Sequence, residues 1–257
     1  MLNPTQQDRQ SPFNLSKALF ILPNAFTTAS VFCGMYAILH AVSENGPEAF
    51  YQSSIAVFFA GFFDLFDGRV ARMTKTQSNF GVQYDSLADV INFGAAPAVI
   101  VYKWALWPLG TLGMLAAFIY TACGAIRLAR HNVLAMQKNH SDTYFVGLPI
   151  PFGAALLVAI VIAHYKLFDG LPVQRHTLVM ATVIGIALLM VSTIPYWTFK
   201  DFRFRIRSSF VVLFLIFIAI VISVMSQPSI TLVVFIAGYI LAGLVKMGLS
   251  LFNRRLR

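Results

Sequence analysis

Residues 64–89 read DLFDGRVARMTKTQSNFGVQYDSLAD. Apolar runs flank this stretch on both sides, yet it carries four aspartates, Asp64, Asp67, Asp85 and Asp89, of only 10 acidic residues in the 257-residue chain. Asp64 and Asp67 are three positions apart near the end of one apolar run. Asp85 and Asp89 are four apart at the start of the next, so each pair lies on one face of its own helix. The short polar turn between them, Thr74 to Phe80, makes the two helices antiparallel neighbours and turns all four carboxylates toward one volume.

The rest of the chain explains why this is unusual. Hydrophobic residues make up 58% and charged residues 11%, with a mean hydropathy of +0.73. A soluble domain carries roughly 25% charged residues to cover its wet surface, so the composition is that of an integral membrane protein. Disorder, a coiled coil and a disulfide-built module are excluded. Cys33 and Cys123 lie in separate apolar stretches without partner spacing and read as small helix-packing residues. A bilayer core of about 30 Å needs about 20 apolar helical residues to cross. Windows of that kind occur near Ala18 to Val42, Phe50 to Met73, Asp85 to Tyr102, Gly110 to Leu128, Leu148 to Tyr165, Thr177 to Trp197, Ser208 to Met225 and Ile230 to Leu251. The expected fold is therefore an all-α polytopic transmembrane helix bundle of eight spans, with the first retained as a span and not removed as a leader.

Orientation follows from the basic residues, which accumulate on the cytoplasmic side. One set of connections, together with both chain ends, holds 16 of the 19 Lys and Arg; only Lys103, Lys166 and Arg175 fall on the other side. Both termini are expected in the cytoplasm. The net charge of +9 is explained by attraction to an anionic inner leaflet, and no nucleic-acid motif is present.

Each aspartate in a span costs about 2.5 to 3.5 kcal/mol even on the mild insertion scale, so four together imply compensating cations. Four oxygen donors with no Cys or His beside them suit Mg²⁺, Mn²⁺ or Ca²⁺ and disfavour zinc. Two ions would neutralise all four charges, and an ion pair about 4 Å apart is a recurrent device for phosphoryl chemistry. Gly68 and Ala71 leave the backbone bare next to the carboxylates, and Arg72 offers a fork of donors for phosphate oxygens. The alternative, a buried salt-bridge network of Asp64 and Asp67 with Arg69 and Arg72, leaves two arginines to balance four acids. His40, His131, His140, His164 and His176 show no metal-ligand spacing.

At these residues the chain resembles the CDP-alcohol phosphotransferase family, whose signature D-x2-D-G-x2-A-R-x8-G-x3-D-x3-D is present at every fixed position from Asp64 to Asp89. Three further stretches support the likeness: Leu22 to Thr28, Asp85 to Pro97 and Ala122 to Asn132. The Gly147 to Pro151 run also fits, whereas Ser30 and His131 depart from the expected residues. Within the family the chain looks like the bacterial members that pass a phosphatidyl group from CDP-diacylglycerol to L-serine, which implies a place in the inner membrane with the site toward the cytoplasm. The resemblance implies that Asp64, Asp67, Asp85 and Asp89 hold two Mg²⁺ or Mn²⁺ ions, with Asp89 also the general base. It further implies that Asn24, Thr27, Gly68, Ala71, Arg72, Ser78 and Gly81 hold the CDP-diacylglycerol headgroup. Two of these have local readings as well: Asn24, after a proline, as a helix cap, and Ser78 as a polar turn residue. Arg127 and Arg130, with Asn132, would read the serine carboxylate or the lipid phosphate, or simply anchor headgroups. Residues 18–197 would form the family's six-helix core, preceded by a juxtamembrane segment, 1–17. Two additional helices and a basic tail would follow in 198–257, and a homodimer is compatible with all of this.

Two other functions compete. A different acceptor such as glycerol 3-phosphate would call for a denser basic pocket. An ion-coupled transporter would place its carboxylates at the midplane within repeated halves, whereas here no repeat is seen and Asp64 lies only about 7.5 Å deeper than Arg69.

Overall fold

The computed structural model describes residues 15–44, 46–74, 78–136, 144–197, 230, 233–241 and 243. The helices are α1 (Leu15–Ser43), α2 (Pro47–Thr74), α3 (Asn79–Asp89), α4 (Ala96–Val101), α5 (Thr111–Met136), α6 (Ile150–Phe168) and α7 (His176–Val191). Five segments are long and apolar enough to cross a membrane: Pro23–Ser43, Pro47–Ala71, Asn79–Leu109, Thr111–Leu134 and Ile150–Phe168. The architecture is a polytopic membrane helix bundle, helical throughout the described residues except for one pair of three-residue strands. Large apolar side chains such as Phe32, Leu65, Leu112 and Phe118 face outward, as a lipid-facing surface requires. The expected span near Ser208 to Met225 lies outside the described residues.

The third span is the centre of the bundle. It was expected to begin at Asp85, but the helical rod runs from Asn79 to Leu109. Its polar first turn escapes a hydropathy window and is started by the Ser78 cap, whose hydroxyl accepts the Gly81 N–H at 3.0 Å. The rod is interrupted by two π-turns, Val90–Ala95 and Tyr102–Leu106. A π-turn displaces the regular hydrogen-bond ladder, and α5 meets the displaced carbonyls. The Tyr120 hydroxyl donates to the Phe93 carbonyl at 3.0 Å and the Thr121 hydroxyl to the Gly94 carbonyl at 3.3 Å. On the opposite side α1 comes close. Asn92, fully buried, donates to the Ser30 hydroxyl at 2.9 Å, and any side chain at Gly34 would collide with the Asn92 carboxamide.

The sixth expected span, Thr177 to Trp197, is corrected: α7 ends at Val191. Its 16 residues give about 24 Å, short of a full crossing. The Ser192 hydroxyl turns back to the Leu189 carbonyl at 2.7 Å, and Pro195 disfavours helix at the residue before it. The chain then forms β2 (Pro195–Trp197), antiparallel to β1 (Tyr144–Val146) with Phe145 opposite Tyr196. This ribbon departs from the all-α expectation, because strand pairing across some fifty residues leaves no periodic signal. Gly147 follows β1 at φ +81°, with the Met190 and Ser192 carbonyls against its backbone, so no side chain fits there.

Arg130 of α5 locks this corner. Its guanidinium donates to the Val191 carbonyl at 3.3 Å, the Val146 carbonyl at 3.2 Å and the Ser192 carbonyl at 3.1 Å. A cation satisfying terminal carbonyls also complements the C-terminal end of the α7 dipole. Arg130→Ala is expected to lower thermal stability in detergent by about 1–3 kcal/mol, since the carbonyls lose a charged donor. Arg130→Lys should recover little of it, because a point charge lacks the fork; recovery of the full midpoint by lysine would contradict the clamp.

Candidate active site

The last turns of α2 carry Asp64, Asp67, Gly68 and Ala71 at spacings of three, one and three, which place them on one stripe. On α3, Gly81, Asp85 and Asp89 repeat every four residues and form the facing stripe. One oxygen from each of Asp64, Asp67 and Asp85 lies within 4.8 Å of the others. Asp89 completes the group: its carboxyl is within hydrogen-bond reach of Asp64, and its Oδ1 is buried with no hydrogen-bond partner among the described residues.

Asp67 is only 4% exposed, and Thr27 of α1, 3% exposed, donates its hydroxyl to the Asp67 Oδ2 at 2.8 Å. The same hydroxyl is 3.2 Å from the Pro23 carbonyl, so the shorter, charge-assisted bond fixes its direction. Asn24, one turn earlier on α1, has its Oδ1 beside Gly81, where a β-carbon would sit 3.7 Å from it. Ser78 stands at the same place, its hydroxyl engaged in the α3 cap. The two pairs of carboxylates thus face each other across a gap closed on one side by α1. Gly68 and Ala71 are half-buried along it.

The two arginines of α5 part company. Arg127 is 6% exposed, the one cation with a buried side chain among the described residues, and its charge acts on Asp89. Arg130 is turned to the three carbonyls of the α7 corner. Asn132 donates to the Ser86 hydroxyl at 2.8 Å, tying α5 to α3 next to Asp85. Arg69 is exposed, and the side chain of Arg72 lies outside the described residues.

These donors suit a hard cation. Three convergent carboxylates, a fourth with an orphaned oxygen and no Cys or His among them form an oxygen-only set for a divalent metal. Among the described residues, one buried arginine faces this surplus of negative charge, which membrane burial makes expensive. Sequence reading passed over three supports of the site: the buried Asn92–Ser30 bond, the Tyr120 hydroxyl on the π-turn, and the Thr28–Tyr84 hydroxyl pair at 2.9 Å. Asn92 and Tyr120 could have been flagged as polar groups inside apolar runs.

Residues 20–194 match the sequence profile of the family described as CDP-alcohol phosphatidyltransferase. The chain is 37% identical over 229 residues to the CDP-diacylglycerol–serine O-phosphatidyltransferase of Helicobacter pylori (strain ATCC 700392 / 26695), covering 89% of this chain and 91% of that protein. It is 32% identical over 180 residues to the Bacillus subtilis (strain 168) protein of the same name, covering 70% and 91%. The likewise named Methanocaldococcus jannaschii protein is 34% identical over 184 residues, covering 72% and 77%.

The Thr27–Asp67 bond generates a direct test. Thr27→Val keeps the shape and removes the donor, so the affinity for Mn²⁺ read by titration calorimetry should fall about 3- to 10-fold, with Thr27→Ser restoring most of it. Equal Mn²⁺ affinity in all three proteins would show that the bond does not orient Asp67.

Proposed function

The chain belongs to the CDP-alcohol phosphatidyltransferase family, and we propose that it transfers the phosphatidyl group of CDP-diacylglycerol to the hydroxyl of L-serine, releasing CMP. The observation that carries this reading is the convergence of Asp64, Asp67 and Asp85 beside the orphaned Oδ1 of Asp89, within the residues that match the family. The relatives described above carry serine as acceptor in their names. Glycerol 3-phosphate is less well served, since Arg127 is the one cation with a buried side chain among the described residues.

Asp64, Asp67, Asp85 and Asp89 would hold Mg²⁺ or Mn²⁺ as a pair of ions, which when bound would draw charge from the diphosphate and stabilise the departing CMP. The chain's own groups do the rest. Gly68, Ala71 and Gly81 let the diphosphate approach bare backbone, and Asn24, Thr27 and Arg72 flank it. Ser78 acts through the cap, aiming the first N–H groups of α3 and its positive dipole end at the phosphates. The serine hydroxyl attacks the phosphorus bonded to the diacylglycerol oxygen, the new P–O bond forms, and the phosphoanhydride to CMP breaks. Asp89 Oδ1 takes the hydroxyl proton. It contributes by its position, within reach of the attacking hydroxyl. Arg127 supplies the positive charge for the serine carboxylate, whereas the carbonyl bonds of Arg130 argue for an architectural role.

The enzyme would sit in the inner membrane of a bacterium as a multi-pass protein, with both termini and the site on the cytoplasmic side. The one-sided distribution of Lys and Arg supports this. Residues 18–197 would be the catalytic core, an extent close to that of the family match, and 198–257 an extension.

Reconstituted protein supplied with CDP-diacylglycerol, labelled serine and Mn²⁺ should release CMP and form labelled phosphatidylserine. A chelator should abolish this and added metal restore it. Release with glycerol 3-phosphate but not serine would overturn the acceptor, and no CMP release with any alcohol would overturn the enzyme. Asp89→Asn should lower turnover by about 10²- to 10⁴-fold while CDP-diacylglycerol still binds; near-normal turnover would remove Asp89 from the base role.

A further inference from the structure

The two residues that flank Asp85 in the chain are bonded to two different helices. Successive residues of an α-helix point about 100° apart, so Tyr84 and Ser86 leave α3 on opposite sides of the Asp85 stripe. Tyr84 meets α1, where its hydroxyl lies 2.9 Å from that of Thr28. The Thr28 hydroxyl gives its one proton to the Asn24 carbonyl at 2.8 Å, so Tyr84 donates and Thr28 accepts. Ser86 meets α5. Its hydroxyl donates to the Val82 carbonyl at 3.1 Å and accepts from the Asn132 carboxamide at 2.8 Å. Both bonds run sideways from the acidic stripe, while Leu87, almost opposite Asp85 on the helix, is 65% exposed.

This helix has a reason to roll about its own axis. One oxygen of Asp85 lies within 4.8 Å of one from Asp64 and one from Asp67, and like charges push it aside. The regular ladder of α3 ends at Asp89, where the first π-turn begins, so the packed remainder of the span restrains it only through an irregular turn. Magnitudes decide what such a roll does. A carboxylate oxygen at the rim of a helix lies about 5–6 Å from the axis, and a roll of about 5° moves it by about 0.5 Å. That is the size of the difference between a Mg²⁺–oxygen distance of about 2.1 Å and a Ca²⁺–oxygen distance of about 2.3–2.6 Å. Mg²⁺ demands near-ideal octahedral geometry, whereas Ca²⁺ accepts a looser shell. Lateral bonds that stop the roll therefore favour the smaller ion.

We propose that Tyr84 and Ser86 are positioning residues of the metal site: bonded to Thr28 of α1 and Asn132 of α5, they brace α3 against rolling and so set a preference for Mg²⁺ over Ca²⁺. They act through Asp85, the residue between them. The proposal rests on the reading of the four aspartates as metal ligands, and it assigns Asn132 to the frame of the site and not to the acceptor.

Calorimetric titration of the full chain in detergent, with Mg²⁺ and separately with Ca²⁺ and no substrate, tests this. The paired substitution Tyr84→Phe and Ser86→Ala removes two hydroxyls and little else. Its Mg²⁺ affinity should fall about 5- to 10-fold while its Ca²⁺ affinity stays near the parent value, so the preference for Mg²⁺ falls by the same factor. Thr28→Val with Asn132→Ala breaks the same two bonds from their other ends and should reproduce the shift. Ser86→Thr alone keeps a hydroxyl and should keep the parent preference. An unchanged preference in both paired variants overturns the proposal. So does an equal loss for both ions with a lowered thermal midpoint, which would make Tyr84 and Ser86 packing residues only. A parent protein that binds neither ion overturns the metal reading and this inference together. A parent that binds Mg²⁺ with a preference indifferent to the paired substitutions overturns this inference alone.

Discussion

Like charges held together in a membrane repel one another and lose their hydration, and the arrangement of this bundle follows from tolerating that. Asp64, Asp67 and Asp85 converge to within 4.8 Å of one another, and neither propensity nor packing would bring them there. They are tolerable because Thr27 donates to Asp67 and because Arg127 offsets part of the charge. What remains uncompensated is the driving force for capturing cations. On the proposed function, the same surplus that costs stability would become binding free energy toward a divalent ion and the diphosphate that follows it.

Holding the acids apart from water and in register requires a rigid wall, which the α3–α4 rod provides. Its irregular turns expose carbonyls to which α5 donates hydroxyls, and its Asn92 is pinned to α1. Helices in lipid gain little from hydrophobic burial against each other, so close approach at Gly34 and directed polar bonds supply the specificity instead. The site thus inherits its geometry from bonds one layer behind it.

Much of this was legible in the sequence, for a physical reason. A carboxylate in an apolar run is so costly that it carries information, and residues 64–89 therefore announced both the hairpin and its chemistry. Helix ends carry less. A span-length hydropathy window runs on through Ser192 to Trp197, Pro195 being the one local mark against helix, and nothing local announced the pairing with β1. Arg127 and Arg130 are three residues apart on one helix and indistinguishable by composition. Only their surroundings separate a buried cation beside Asp89 from a clamp on three carbonyls.

The first π-turn, Val90–Ala95, has a bearing on how such a chain can vary. Each α-helical residue advances the azimuth by about 100°, so one residue more or fewer between Asp89 and Ala96 would rotate everything downstream by that angle. The rod is in effect two helices phased separately, one for Asp85 and Asp89 and the other for the apolar seat of α4. Point substitutions within the turn leave that phase intact, whereas a one-codon deletion would set the catalytic half and the membrane half against each other.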